Sequence, residues 1–398
     1  MNFYQEKSSD LPRLLYRNLF KLVSQDKSVD IVQAASQFAA KTKGPDYLKM
    51  VWHVPKFLRK SLSPQQFSGF EAFCAKQNAR RPDKIKKHVF PHVSDEFSLS
   101  EEFLSEAFDV NALCTVSKDD VIYTIGSCFA RNFSKFLSAK GISCKNFGQA
   151  EDLNSPGSNQ ILLQYARSIE EPASVAAMKS ELELIWSGVD LAVVEQMFKQ
   201  HVEQLKSLRI NLQQATKVIV TLGNTVDYYQ AKEDGTQALV PKFLAMSPSE
   251  DVRVRDSISA RLAKLNTFIR LSSFAEVSRY ILSIYTHIRA INPNCSIVFT
   301  VSPVPIDSVL GLQGTNLRAV EVDCVSKSTI RSALHEVMNT DAQLSKDNKV
   351  HYLPSFEIVR WIAPLVGIPV FGMEDAASRH VSNAVLNAVC GFAYKLEG

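Results

Sequence analysis

The sequence predicts an α/β fold: a three-layer sandwich around a mainly parallel five-stranded sheet, preceded by a helical N-terminal extension. Three observations predict it. Short β-rich runs recur from Val121 onward, amphipathic helical stretches separate them, and residues 1–110 look helical and irregular with no clear strand. Alternating strands and helices imply parallel strands, right-handed crossovers and helices on both sheet faces. At 398 residues the chain exceeds one ordinary domain, and the change of pattern divides it into an extension of unknown role over 1–110 and an α/β domain over 111–398.

The first strand is Val121-Ile122-Tyr123-Thr124-Ile125, which ends at Gly126. Phe129, Phe133, Phe136 and Leu137 then recur at helical spacing, with Gly141 as the C-cap. A second short strand covers 142–147. A helix over 158–169 follows, then a longer one carrying Leu191, Val194, Met197, Phe198, Val202 and Leu205. Three more strands are expected at 217–222, 296–302 and 349–353, separated by amphipathic helices near 256–291 and 326–345. A last helix follows His380, with Val381, Val385, Val389 and Phe392 on one face. Sites in such sheets form beyond the carboxyl ends of the strands, so the residues after Ile125, Leu222, Val301 and Leu353 are where chemistry is expected.

Composition removes several classes of function. A net charge of +4 is too mild for nucleic-acid binding, and no aromatic-basic stripe accompanies it. The seven cysteines form no C-x-x-C pair and their number is odd, which argues against a disulfide framework or zinc ribbon. The histidines do not cluster at ligand spacing, so no metal is expected. There is no G-x-G-x-x-G after a strand and no P-loop. Met1–Lys21 is interrupted by Glu6, Lys7, Asp10, Arg13 and Arg17, and no apolar run reaches the roughly 18 residues of a membrane span. The expectation is a soluble, cytoplasmic protein. Over residues 49–87, Lys56, Arg59, Lys60, Lys76, Arg80, Arg81, Lys84, Lys86 and Lys87 face only Glu71 and Asp83. That stretch is either a solvated helical face with a basic linker, the simpler account, or a peripheral contact for a membrane surface or a protein partner.

Gly126-Ser127 marks the turn from the first strand into the first helix. A serine there projects above the sheet edge towards the orphan amides of the helix N-terminus, which can stabilise an oxyanion. Serine is also the commonest kind of N-cap, so capping alone explains an isolated Ser127.

More blocks accompany it. Gly126-Ser127-Cys128-Phe129-Ala130 is followed by Asn146-Phe147-Gly148 with Asn154-Ser155-Pro156, then Val220-Thr221-Leu222-Gly223, then Phe299-Thr300-Val301-Ser302-Pro303-Val304-Pro305. Ser326-Lys327-Ser328, Tyr352-Leu353-Pro354-Ser355-Phe356-Glu357-Ile358 and a closing Asp375…His380 complete the series. In content and order these blocks resemble the GSCFA-domain family, which belongs to the SGNH/GDSL hydrolase clan. The resemblance covers roughly 90–395 and implies a flavodoxin-like, SGNH-type sandwich.

It also implies roles. Ser127 would attack an acyl carbonyl, His380 would accept its proton, and Asp375 would orient the imidazole. Ala377 stands where the clan customarily has the acid, so Asp375 serves only if the loop bulges. Glu374 and Glu357 are the other carboxylates available, and a Ser–His dyad is the remaining arrangement. The Ser127 amide, the Gly148 amide and a side-chain donor would form the oxyanion hole. Asn224, one residue off the clan's position, and Asn154 are the candidate donors; either is equally a turn residue. Cys128, beside Ser127 at a helix N-terminus, is a second nucleophile or simply a packed thiol.

The leading expectation is an esterase or O-acyltransferase acting on a small-molecule or glycan substrate, with no cofactor required. The transferase version uses acetyl-CoA, and the resemblance points to polysaccharide biosynthesis. The competing expectation is a non-catalytic binding or scaffold protein that retains the fold.

Overall fold

The strands Val121–Gly126 (β1), Lys217–Leu222 (β3) and Ser296–Val301 (β7) are nearly unbroken apolar runs because helices cover both of their faces. The protein is represented by a computed structural model that describes residues 11–41, 58, 60–78, 99, 104, 107–108, 116–147, 153–247, 258–263, 265–366, 369–373 and 379–393. With Ser143–Asn146 (β2) and Val350–Tyr352 (β8), these strands form one parallel five-stranded sheet in the order β2-β1-β3-β7-β8. The strands number 2-1-3-4-5 in their own chain order, as in flavodoxin-like folds, with the switch point between β1 and β3. Every expected strand is present.

Alternate residues of β1, β3 and β7 feed two separate cores. Tyr123, Ile125, Val218, Val220, Leu222, Ile297, Phe299 and Val301 face the helices Pro156–Ser168, Leu191–Gln214, Phe274–Ile291 and Ala319–Thr340. Ile122, Ile219 and Val298 face the helices Cys128–Ala139 and Asn383–Ala393 and the helical segment after Pro354. The strand period of two thus divides the residues between the outer layers.

One expectation is corrected. The stretch near 256–291 is not continuously helical: Thr267–Leu271 is a strand (β6), and the long helix begins at Phe274 behind a capping box in which Ser273 and Glu276 bond reciprocally. β6 pairs antiparallel with Val226–Ala231 (β4), which also pairs with Gln237–Leu239 (β5). This small sheet was not expected. The side of β4 that is buried carries Asp227 and Tyr229 rather than aliphatic residues, and β6 is half-buried along its whole length. Neither gives the apolar alternation that marks a strand.

The chain divides into two compact units, Met1–Phe90 and Pro91–Gly398. Within the first, the helices Leu11–Gln25, Ile31–Lys41 and Pro64–Asn78 share a core of Leu15, Leu19, Val23, Ile31, Ala35, Leu58 and Phe70. Seven of the nine basic residues named in the 49–87 stretch lie outside the described residues, Lys60 and Lys76 being the exceptions. No described helix is long and apolar enough to cross a membrane.

Candidate active site

Gly126 closes β1 with φ +113°, and a Cβ there would lie 1.9 Å from the Thr221 carbonyl oxygen of β3. Only glycine lets the two strands approach at the switch point. The chain then turns through Ser127, whose extended backbone (φ −72°, ψ 174°) occupies the N-cap position of the Cys128–Ala139 helix.

Ser127 does not cap that helix. Its side chain makes no cap hydrogen bond, is 1% exposed, and its Oγ is buried without a hydrogen-bond partner among the described residues. A buried hydroxyl left unbonded costs about 1–3 kcal/mol, and such groups are rare in native folds. Ser127 lines a cavity of about 260 Å³ whose walls include Cys128, Asn154, Gly223, Asn224, Ser302 and Lys327. The loop after β7, through Val304–Ser308, and Arg379 complete it.

The two candidate amides meet here. Asn224 donates its side-chain amide to Asn154 Oδ1 and accepts 2.8 Å from the Val226 amide, while the Gly223 amide donates to the Asn154 carbonyl. Asn154 is held from behind. Ser155 caps the Pro156–Ser168 helix through the Ser158 amide and donates its hydroxyl to Asp227 on β4. Asp227 also accepts from Ser158 at 3.2 Å and Ser272 at 2.9 Å, and burial raises its pKa.

The opposite support comes from the Ala319–Thr340 helix. Its buried stripe is Val322, Asp323, Ser326, Lys327, Ile330, Ala333, Leu334 and Val337, so two charged side chains occupy core positions. Lys327, 2% exposed, donates to the Gly223 carbonyl and stands 3.9 Å from Asp323. Burial pushes its pKa down to about 8; Asp323 opposes the shift and Arg360 reinforces it. Asp323 accepts 2.7 Å from Arg360 and 3.0 Å from the Ile306 amide, which pins the loop after β7. Ser326 bonds Thr225 at 3.0 Å just past β3.

The structure thus brings Ser127, Cys128, Asn154 and Asn224 together. His380 is not among the residues that line their cavity. His380 is half-buried and lines a different hollow of about 350 Å³ with Asn132, Lys135, Phe136, Asn383 and Asn387. Asp375, Glu374 and Gly148 lie outside the described residues. Glu357 is engaged elsewhere, accepting 2.6 Å from Arg331 and 2.8 Å from Tyr352. Sequence reasoning gave no site role to Lys327, Asp323, Arg360 or Arg379. A signal for the first two was present, since both fall on the apolar stripe of a helix at i, i+4.

The model of the GSCFA family matches residues 121–390, about two thirds of the chain. The match begins with β1 and ends inside the Asn383–Ala393 helix, so it contains every wall of the Ser127 cavity. No curated protein and no solved structure gives a significant match.

Proposed function

The chain belongs to the GSCFA family, and from that premise we propose that it carries out serine-dependent acyl-ester chemistry of the SGNH/GDSL kind, as an esterase or O-acyltransferase. One observation carries this reading: the Ser127 hydroxyl is buried and unbonded among the described residues, and Ser127 lines a cavity at the switch point of a parallel sheet. Ser127 attacks the acyl carbonyl. The oxyanion that forms lies against the orphan amides opening the Cys128–Ala139 helix and the Asn154–Asn224 pair. The small cavity, with mostly polar walls, fits a short acyl group on a polar small molecule or glycan better than a long lipid chain. In the transferase form acetyl-CoA supplies the acyl group and the acceptor is a sugar hydroxyl, which would place the protein in polysaccharide biosynthesis.

A second reading is a non-catalytic binding protein that retains the fold. The placement of His380 in a separate hollow favours it. Hydrolysis of p-nitrophenyl acetate separates the two. The catalytic reading expects the Ser127→Ala variant to lose at least about 100-fold in kcat/KM. Equal rates for both proteins leave only binding, and acetyl-CoA with a glycan acceptor then distinguishes transferase from esterase if the serine is required.

A further inference from the structure

We propose that Lys327, rather than His380, is the base that takes the proton from Ser127. This rests on the acyl-ester reading above and names the second catalytic group of the same site. Ser127 and Lys327 line one cavity, and no described histidine does. The carboxylate in its walls, Asp307, is 75% exposed and pairs with Arg379.

The lysine is built in rather than trailing from the surface. It rises from the buried stripe of a 22-residue helix, and its amine is held at the carboxyl end of β3 by the Gly223 carbonyl. Its counter-charge is incomplete, because Asp323 is nearer to Arg360, at 2.7 Å, than to Lys327, at 3.9 Å. A buried ammonium so weakly matched gives up its proton readily, which is how lysines become general bases. The charged and titratable groups around it are Asp323 on its own helix, Arg360 from the segment after Pro354, Cys128 at the start of a helix in the other outer layer, and the Arg379–Asp307 pair. Burial and Arg360 outweigh Asp323 and Cys128 and lower the amine's pKa to about 8.

The steps balance. Neutral Lys327 Nζ accepts the Ser127 proton as Oγ bonds to the acyl carbon. The resulting ammonium then gives that proton to the departing alkoxide. For the second half, water or an acceptor hydroxyl attacks the Ser127 ester; Nζ takes its proton and returns it to Ser127 Oγ as the C–O bond breaks. Ser–Lys pairs are an established variant of the serine triad.

The test is the rate at which a fluorophosphonate probe labels Ser127 between pH 6 and 10, read on the full-length protein and on Lys327→Met, Lys327→Arg and His380→Ala. The expected wild-type rate rises with pH through about 8. Arginine keeps the cation but does not deprotonate in this range, so it would rescue a merely structural lysine and not a base. Both Lys327 variants should label at least about 100-fold more slowly, without the pH step, while the step survives in His380→Ala. A normal rate and step in Lys327→Arg, or loss of the step in His380→Ala, overturns the assignment. If neither Lys327 variant folds, the wild-type profile decides, since a step at about 6–7 marks an imidazole. If the probe does not label Ser127 at any pH, the acyl-ester reading itself fails; labelling that ignores Lys327 overturns only the present inference.

Discussion

Asn224 donates its side-chain amide to Asn154, joining two loops 70 residues apart in sequence into one wall of the Ser127 cavity. The pair is anchored on both sides: Asn154 through the adjacent Ser155 to Asp227, and Asn224 through the adjacent Gly223 carbonyl to Lys327. If this wall stabilises an oxyanion, Asn154→Ala and Asn224→Ala should each lower kcat by about 10–1000-fold, with KM for a short acyl ester little changed. Steady-state kinetics checks this. A rise in KM alone would make the wall a binding surface.

Gly126→Ala should prevent stable folding of the α/β unit. The new Cβ would meet the Thr221 backbone oxygen at 1.9 Å, at a φ of +113° that other residues avoid. A destabilisation of about 3 kcal/mol or more is expected in urea unfolding. A variant with unchanged stability would contradict the close approach of β1 and β3.

Asp227 offers a pH test. Burial raises its pKa in the folded state, so between about pH 4 and that raised value the native protein holds a proton that the unfolded chain has lost. Stability from this group is complete below the unfolded pKa and is lost as pH rises through the folded one. Asp227→Asn should flatten that part of the stability profile and cost less than about 1 kcal/mol, whereas Asp227→Ala strands three serine hydroxyls and should cost about 2–4 kcal/mol. Thermal melts from pH 4 to 8 distinguish these outcomes.

Lys327→Met should separate stability from activity. With the folded pKa near 8 against 10.5 for the free side chain, the buried ammonium penalises folding below about pH 8, and the penalty fades as pH rises towards 10.5. Removing the charge should leave the melting temperature at pH 7 equal or higher, since an apolar isostere often matches or exceeds a buried ion. A clearly lower melting temperature would mark the lysine as structural.

The main sheet was legible because β1, β3 and β7 are buried on both faces and read as apolar runs ending at Gly126, Leu222 and Val301. The rule that sites form beyond the carboxyl ends of parallel strands points to Ser127 after Ile125 and to Asn224 after Leu222, whereas Asn154 enters only through the resemblance to the GSCFA family. β4 escaped because Asp227, satisfied by three serines from two places in the chain, stands where a strand normally buries an aliphatic residue. Lys327 escaped for a related reason. A charge on a helix is read as solvent-facing unless its phase against Val322, Ile330 and Leu334 is checked. A histidine just before a helix start carries no sequence signal of which hollow it lines. Arg379 lines the Ser127 cavity while the next residue, His380, lines another.

The most direct measurement is acid-quenched mass spectrometry of the full-length protein after brief exposure to p-nitrophenyl acetate, with peptide fragmentation to locate any acetyl group. The account predicts one acetyl on Ser127, absent from Ser127→Ala. An unmodified Ser127 peptide, or an acetyl carried by Cys128 instead, would contradict it.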